Sequence, residues 1–201
     1  MHARDANREQ DKAGKTIPVW DPLIRFGHWG LAAAFAVAWL TGEDWENVHV
    51  VAGYCVATIV VVRTIWGFVG PRTARFTSFV RGPRAALDYL RGLVRGTAPR
   101  HLGHNPAGAA MVLALLLSLA GTAGTGMALL AVEEGEGPLA GIIQPATGHD
   151  GREEFLEEAH EILANGTLVL VVMHVLGVLA SGIAHRENLV RAMITGRKRA
   201  H

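Results

Sequence analysis

Four long apolar stretches alternate with polar connections along this chain, roughly Leu23–Leu40, Val48–Val69, Ala107–Val132 and Ile162–Ala184. The third and fourth contain no Asp, Glu, Lys or Arg. Each stretch approaches the ~20 residues needed to cross a hydrocarbon core about 30 Å thick. None has the continuous polar face that a soluble helix of that length would show. The pattern predicts an all-α membrane protein, a bundle of four transmembrane helices with spans at about 20–40, 48–69, 107–131 and 160–184. Trp20, Trp29, Trp39, Trp45 and Trp66 fall within or near the ends of the first two stretches, as an interfacial aromatic belt requires.

Two connections carry patterns of their own. Between the second and third spans, Pro83–Arg95 reads as a short helix, with Pro83 suited to its first turn. Arg84, Asp88, Arg91 and Arg95 share one face and Ala86, Leu87, Leu90 and Leu93 another. That is the pattern of a helix lying on the membrane surface, and an ordinary connecting helix is the alternative. The connection from Glu133 to Ala159 is long and acidic, and Arg152–Glu161 reads as a helical lead into the fourth span.

Charge adds an orientation. The segment before the first span carries Arg4, Arg8, Lys12 and Lys15. The second connection carries Arg72, Arg75, Arg81, Arg84, Arg91, Arg95 and Arg100, and the C-terminal segment Arg186, Arg191, Arg197, Lys198 and Arg199. The other two connections hold a single basic residue, Arg152, among Glu43, Asp44, Glu46, Glu133, Glu134, Glu136, Asp150, Glu153, Glu154, Glu157 and Glu158. The positive-inside rule then puts both termini in the cytoplasm, with the protein multi-pass in its membrane. On this reading residues 1–18 are a polar cytoplasmic tail, 19–186 the four-helix domain and 187–201 a basic cytoplasmic tail. The basic residues are absorbed by topology, so the bilayer is the expected partner and nucleic acid is not. The first apolar run ends without a small-residue cleavage pattern and reads as a retained anchor. The one cysteine, Cys55, rules out an internal disulfide and Cys-x-x-Cys-His haem attachment.

The candidate chemistry lies in the histidines. Of ten, His28, His49, His160, His174 and His185 fall at or within the spans, where an ionisable side chain is a functional candidate by default. His160 and His174 are 14 residues apart on one helix. That is nearly four turns, so both point to one face, roughly 21 Å apart along the axis. One metal ion cannot reach both, so two sites are implied. Depth pairs His49 with His160 towards the outer surface and His28 with His174 towards the inner. Two protein ligands are too few for zinc, which takes four in a structural site or three and a water in a catalytic one. They complete haem iron, whose porphyrin fills the equatorial plane, and a closed sphere favours electron transfer. The four histidines are therefore read as axial ligands of two non-covalent b-type haems.

Neighbouring residues bear on this reading with alternatives open. Gly53 and Gly177 leave room for a macrocycle or merely pack helices closely. Arg63, 14 residues after His49, either pairs with an inner-haem propionate or snorkels to the inner surface. His185, 11 residues after His174, is a rival ligand or an interfacial residue. His101, His104 and Asn105 either serve a quinone site on the cytoplasmic side or simply precede and cap the third span.

These residues resemble a known family: bacterial cytochrome b561 proteins and the b-type cytochrome subunit of Ni/Fe-hydrogenases. The likeness runs from Val19 to Arg199. It is carried by Val19-Trp-Asp-Pro-Leu-Ile-Arg-Phe-Gly-His28-Trp, His49-Val-Val-Ala-Gly53-Tyr and Arg63-Thr-Ile-Trp-Gly-Phe-Val-Gly-Pro-Arg72. Gly103-His-Asn-Pro-Ala-Gly108, His160 with His174, and His185-Arg-Glu-Asn-Leu-Val-Arg191 complete it. The resemblance implies a four-helix haem bundle, multi-pass in the inner membrane of a bacterial cell, that carries electrons between the quinone pool, with quinone as an exchangeable substrate, and a periplasmic redox protein, such as a c-type cytochrome or a hydrogenase-like subunit. It implies an electron-transfer subunit rather than a self-contained enzyme. The acidic outer connection is less typical, so no specific partner is carried over, and a homodimer remains open. Two further readings stand beside it: a stand-alone quinone oxidoreductase for a small oxidant such as superoxide, and a non-redox membrane anchor.

Overall fold

A computed structural model describes residues 16–42, 44–145 and 151–200. Arg4, Arg8, Lys12, Lys15, Glu43 and Asp150, which carry part of the charge asymmetry, lie outside the described residues.

The chain runs as β1 (Thr16–Pro18), α1 (Pro22–Thr41), α2 (Glu46–Val69), α3 (Phe76–Phe79), α4 (Pro83–Val94), α5 (Pro106–Glu133), α6 (Arg152–His185), α7 (Leu189–Thr195) and β2 (Arg197–Arg199). Helices α1, α2, α5 and α6 are long and apolar enough to cross a membrane, the four-helix architecture the apolar pattern predicts. Their boundaries have local causes. Asp21 accepts the Ile24 N–H at 3.1 Å, and Pro22 then occupies a position where a missing N–H costs nothing. Asn105 does the same for α5, accepting the Gly108 N–H at 2.7 Å ahead of Pro106. Gly70 and Pro71 follow the last turn of α2, where proline cannot continue a helix. Helix α6 has 34 residues, about 51 Å at 1.5 Å each, so it outruns a ~30 Å hydrocarbon layer. Its excess is the charged lead from Arg152, which begins directly after Gly151 in a left-handed turn (φ 72°).

The chain divides into two compact units. One holds residues 27–65 and 111–175. Its core is Val56, Val60 and Leu119, with Leu31, Ala34, Phe35 and Leu116 packed around them. Polar groups inside it pair with one another: Ser118 and Thr167 hydroxyls lie 2.6 Å apart, and Thr167 Oγ1 also donates to the Leu163 carbonyl at 2.8 Å. Many other large apolar side chains of its helices face outward, Leu40 and Leu117 among the most exposed. In water such a surface would drive aggregation; in lipid it is the solvent-matched face.

Of the described residues, the other unit holds 16–26, 66–110 and 176–200. Here the C-terminal segment, expected as a tail, carries structure. Asn188 caps α7, Gly196 closes it at φ 77°, and β2 pairs antiparallel with β1, Ile17 opposite Lys198. Lys198 is 8% exposed, and its Nζ reaches Glu187 Oε2 and the His101 carbonyl, each at 3.3 Å. Arg100 pairs with the other Glu187 oxygen and donates to the Arg199 carbonyl at 2.6 Å. Helix α4 turns Tyr89 inward, while Leu87, Leu90 and Val94 remain exposed beside Arg84, Asp88, Arg91 and Arg95. Its outer surface is thus apolar and basic together, as a helix resting at a lipid–water boundary needs.

Candidate functional site

All four histidines singled out by spacing lie in the first unit, and the fold brings them together two by two. The His49 and His160 rings have centroids 6.0 Å apart, and the His28 and His174 rings 6.1 Å. An imidazole nitrogen lies about 1.2 Å from its ring centre and a metal–nitrogen bond is about 2.0 Å. Two imidazoles on one iron therefore stand roughly 6 Å centre to centre, the spacing both pairs adopt. Among the described residues no group of three or more His, Cys, Asp or Glu is placed to hold a metal ion, so the donor set at each pair is two imidazoles. That set fits haem iron and leaves zinc short of ligands.

Hydrogen bonds settle the tautomer at one pair. His49 Nδ1 lies 2.8 Å from the Ala38 carbonyl. His160 Nδ1 lies 3.0 Å from the Thr122 carbonyl and 3.2 Å from Thr125 Oγ1. A carbonyl can only accept, so in each ring Nδ1 carries the proton and Nε2 keeps its lone pair for a metal. Glycines make room for these rings. A Cβ at Gly126 would stand 2.9 Å from His160 Cε1, and one at Gly42 would stand 3.5 Å from His49 Nδ1. At the other pair, His28 Nδ1 is buried with no hydrogen-bond partner. The space around Gly53, Gly166 and Gly177 is open, with nothing within 4 Å of an added Cβ.

The remaining candidates take other places. Arg63 is half-buried on α2. His185 belongs to the second unit, where its Nε2 and Ser181 Oγ lie 3.1 and 3.4 Å from the buried Tyr89 hydroxyl. His104 sits among aromatics in that unit, 4.6 Å from Trp20 and 4.4 Å from Phe79 between ring centroids. Asn105 commits its carbonyl oxygen to capping α5. The sequence reading overlooked Thr122, Thr125, Gly126 and the Ala38 carbonyl. Thr125-Gly126 stood out only as small residues in an apolar run, and a backbone carbonyl leaves no mark in a sequence at all.

Electrostatics outside the spans follow from these contacts. Burial alone would raise the Glu187 carboxyl, but the Arg100 hydrogen bonds and the Lys198 and Arg100 charges outweigh it and hold the group below its usual range. Burial also lowers the Lys198 amine, since one carboxylate shared with Arg100 does not repay its desolvation. Glu134, next to α5, is raised by a hydrogen bond with Glu46 and by that neighbour's charge, so the acidic groups crowd where α2 begins and α5 ends.

Comparison with known proteins agrees with this chemistry. The family model described as prokaryotic cytochrome b561 matches residues 19–196. A probable Ni/Fe-hydrogenase B-type cytochrome subunit from Bradyrhizobium diazoefficiens is 24% identical, over 98% of this chain and 91% of its own. No solved structure matches.

Proposed function

Because the chain belongs to the prokaryotic cytochrome b561 family, and is accordingly a multi-pass membrane b-type cytochrome of electron transfer, we propose that it holds two haem b groups, one at each histidine pair. The observation that carries this is the equal spacing of the two pairs, 6.0 and 6.1 Å between ring centroids, which suits two imidazoles on one iron. Bound haem supplies a one-electron iron couple. His49 and His160 would hold one group, each ring locked by its Nδ1–H on a backbone carbonyl, and His28 and His174 the other. With two imidazoles held at each group, no position would be left for oxygen, which suits electron passage. Arg63 would neutralise a propionate, since a guanidinium matches a carboxylate and stays charged in an apolar setting.

The chain would lie in a bacterial inner membrane with both termini cytoplasmic, His28–His174 on the cytoplasmic side and His49–His160 on the periplasmic side. It would pass electrons between the quinone pool and a periplasmic redox protein. The relative's name favours a hydrogenase-like partner over a c-type cytochrome. The test is haem stoichiometry by pyridine haemochrome with single variants. Wild type should carry about two haems per chain. His49→Ala and His160→Ala should lose the same one, His28→Ala and His174→Ala the other. One haem in the wild type, or the same haem lost in all four variants, would refute the pairing.

A further inference from the structure

Resting on the two-haem reading, we infer that Thr125 is a positioning residue that lowers the reduction potential of the haem held by His49 and His160. The hydroxyl of Thr125 has one proton, and two backbone carbonyls, Gly121 and Thr122, lie 3.0 Å from its oxygen. Donating to either leaves an oxygen lone pair facing His160 Nδ1 at 3.2 Å. The Thr122 carbonyl faces the same nitrogen at 3.0 Å. The one Nδ1–H of His160 is therefore shared by two acceptors, while His49 Nδ1–H has the Ala38 carbonyl. Acceptors on Nδ1–H push electron density towards Nε2 and make the imidazole a stronger donor. A stronger axial donor favours ferric over ferrous iron, and so lowers the potential. The other pair lacks this arrangement at His28, whose buried Nδ1 has no partner. Gly126 completes the device. One turn along from Thr122 on α5, it leaves the gap into which the His160 ring fits, and a methyl there would meet His160 Cε1 at 2.9 Å.

The experiment is an optical redox titration of the purified holoprotein. His49→Ala assigns the two midpoints, since the one that disappears belongs to His49–His160. Thr125→Val keeps shape and removes the acceptor. It should retain two haems and raise that midpoint alone, by at least threefold in the reduction equilibrium, or ~28 mV at 59 mV per tenfold for one electron. Thr125→Ser restores an acceptor and should stay near wild type. Gly126→Ala, by displacing the ring, should shift the same midpoint or release that haem. Two haems with unmoved midpoints in Thr125→Val overturns the inference and leaves the two-haem reading intact; a wild type with one haem overturns that reading itself. If Thr125→Val loses the haem, Thr125→Ala and Thr125→Ser decide. A raised midpoint or lost haem in Ala with a normal Ser supports the role, and a Ser as perturbed as Ala overturns it.

Discussion

Glu187 holds two cations at once. Arg100 and Lys198 both converge on its carboxylate, with side-chain exposures of only 18% and 7%. Removing a partner from such an arrangement leaves desolvated charge without compensation. Glu187→Gln should destabilise the β1–β2 pairing by on the order of 2 kcal/mol, less than the ~3–5 of a fully buried pair, because Arg100 keeps the Arg199 carbonyl. Faster proteolysis of the C-terminal segment, with haem content unchanged, is the expected readout. The pH sign follows from the lowered carboxyl. The folded state holds this proton more weakly than the unfolded chain, so the contribution is complete above the unfolded carboxyl pKa and is lost as pH falls through the depressed folded value. Wild type should therefore lose C-terminal protection on acidification below the ordinary glutamate range, and Glu187→Gln should show a flatter acid limb. The sequence did single out the two pairs of rings that the fold brings together: a 14-residue spacing puts His160 and His174 on one helix face, and depth matches His49 and His28 to them. It did not find the Thr125 contact, which depends on how α5 is rotated against α6.

At the scale of elements, small and hydroxylated residues lie where α5 and α6 meet. Gly121 brings α5 close to Leu163, where an added Cβ would stand 3.3 Å from Cδ1, and Ser118 and Thr122 flank Thr167. Lipid is as apolar as leucine, so helices in a membrane gain from close approach and from hydrogen bonds, not from hiding hydrophobes. Gly121→Ala should be tolerated, since the end of the Leu163 side chain can give a few tenths of an ångström. Gly121→Ile should separate the helices and reduce retention of the His49–His160 haem. Thr167→Val should cost about 0.6 kcal/mol, the usual worth of one interhelical hydrogen bond in a membrane. Thermal loss of the haem spectrum in detergent checks all three. The four long helices were legible from composition, and α4 from its proline and its two faces. The strand pair was not, because Thr16–Pro18 and Arg197–Arg199 are three residues each. Runs so short carry no periodicity, and their pairing joins opposite ends of the chain.

For the whole molecule, the asymmetry of charge predicts the topology. Reporter fusions give the check: an alkaline phosphatase fused after Arg199 should be inactive, and one inserted between Gly135 and Gln144 should be active. The opposite pattern would reverse the side assigned to each histidine pair. The sequence by itself determined that the chain crosses a membrane four times, which ends carry positive charge, and which histidines share a helix face. These are one-dimensional quantities: length of apolar run, sign of charge and residue spacing. Depth along the helices already paired His49 with His160 and His28 with His174; only the tertiary structure decided that the rings of each pair close to about 6 Å, that Thr122 and Thr125 contact the His160 ring, and that Lys198 ties the last strand to Glu187. Each of these depends on the rotation and approach of separate elements. Those are set by which small residues let two backbones close together, a matter of three-dimensional fit that no local pattern encodes.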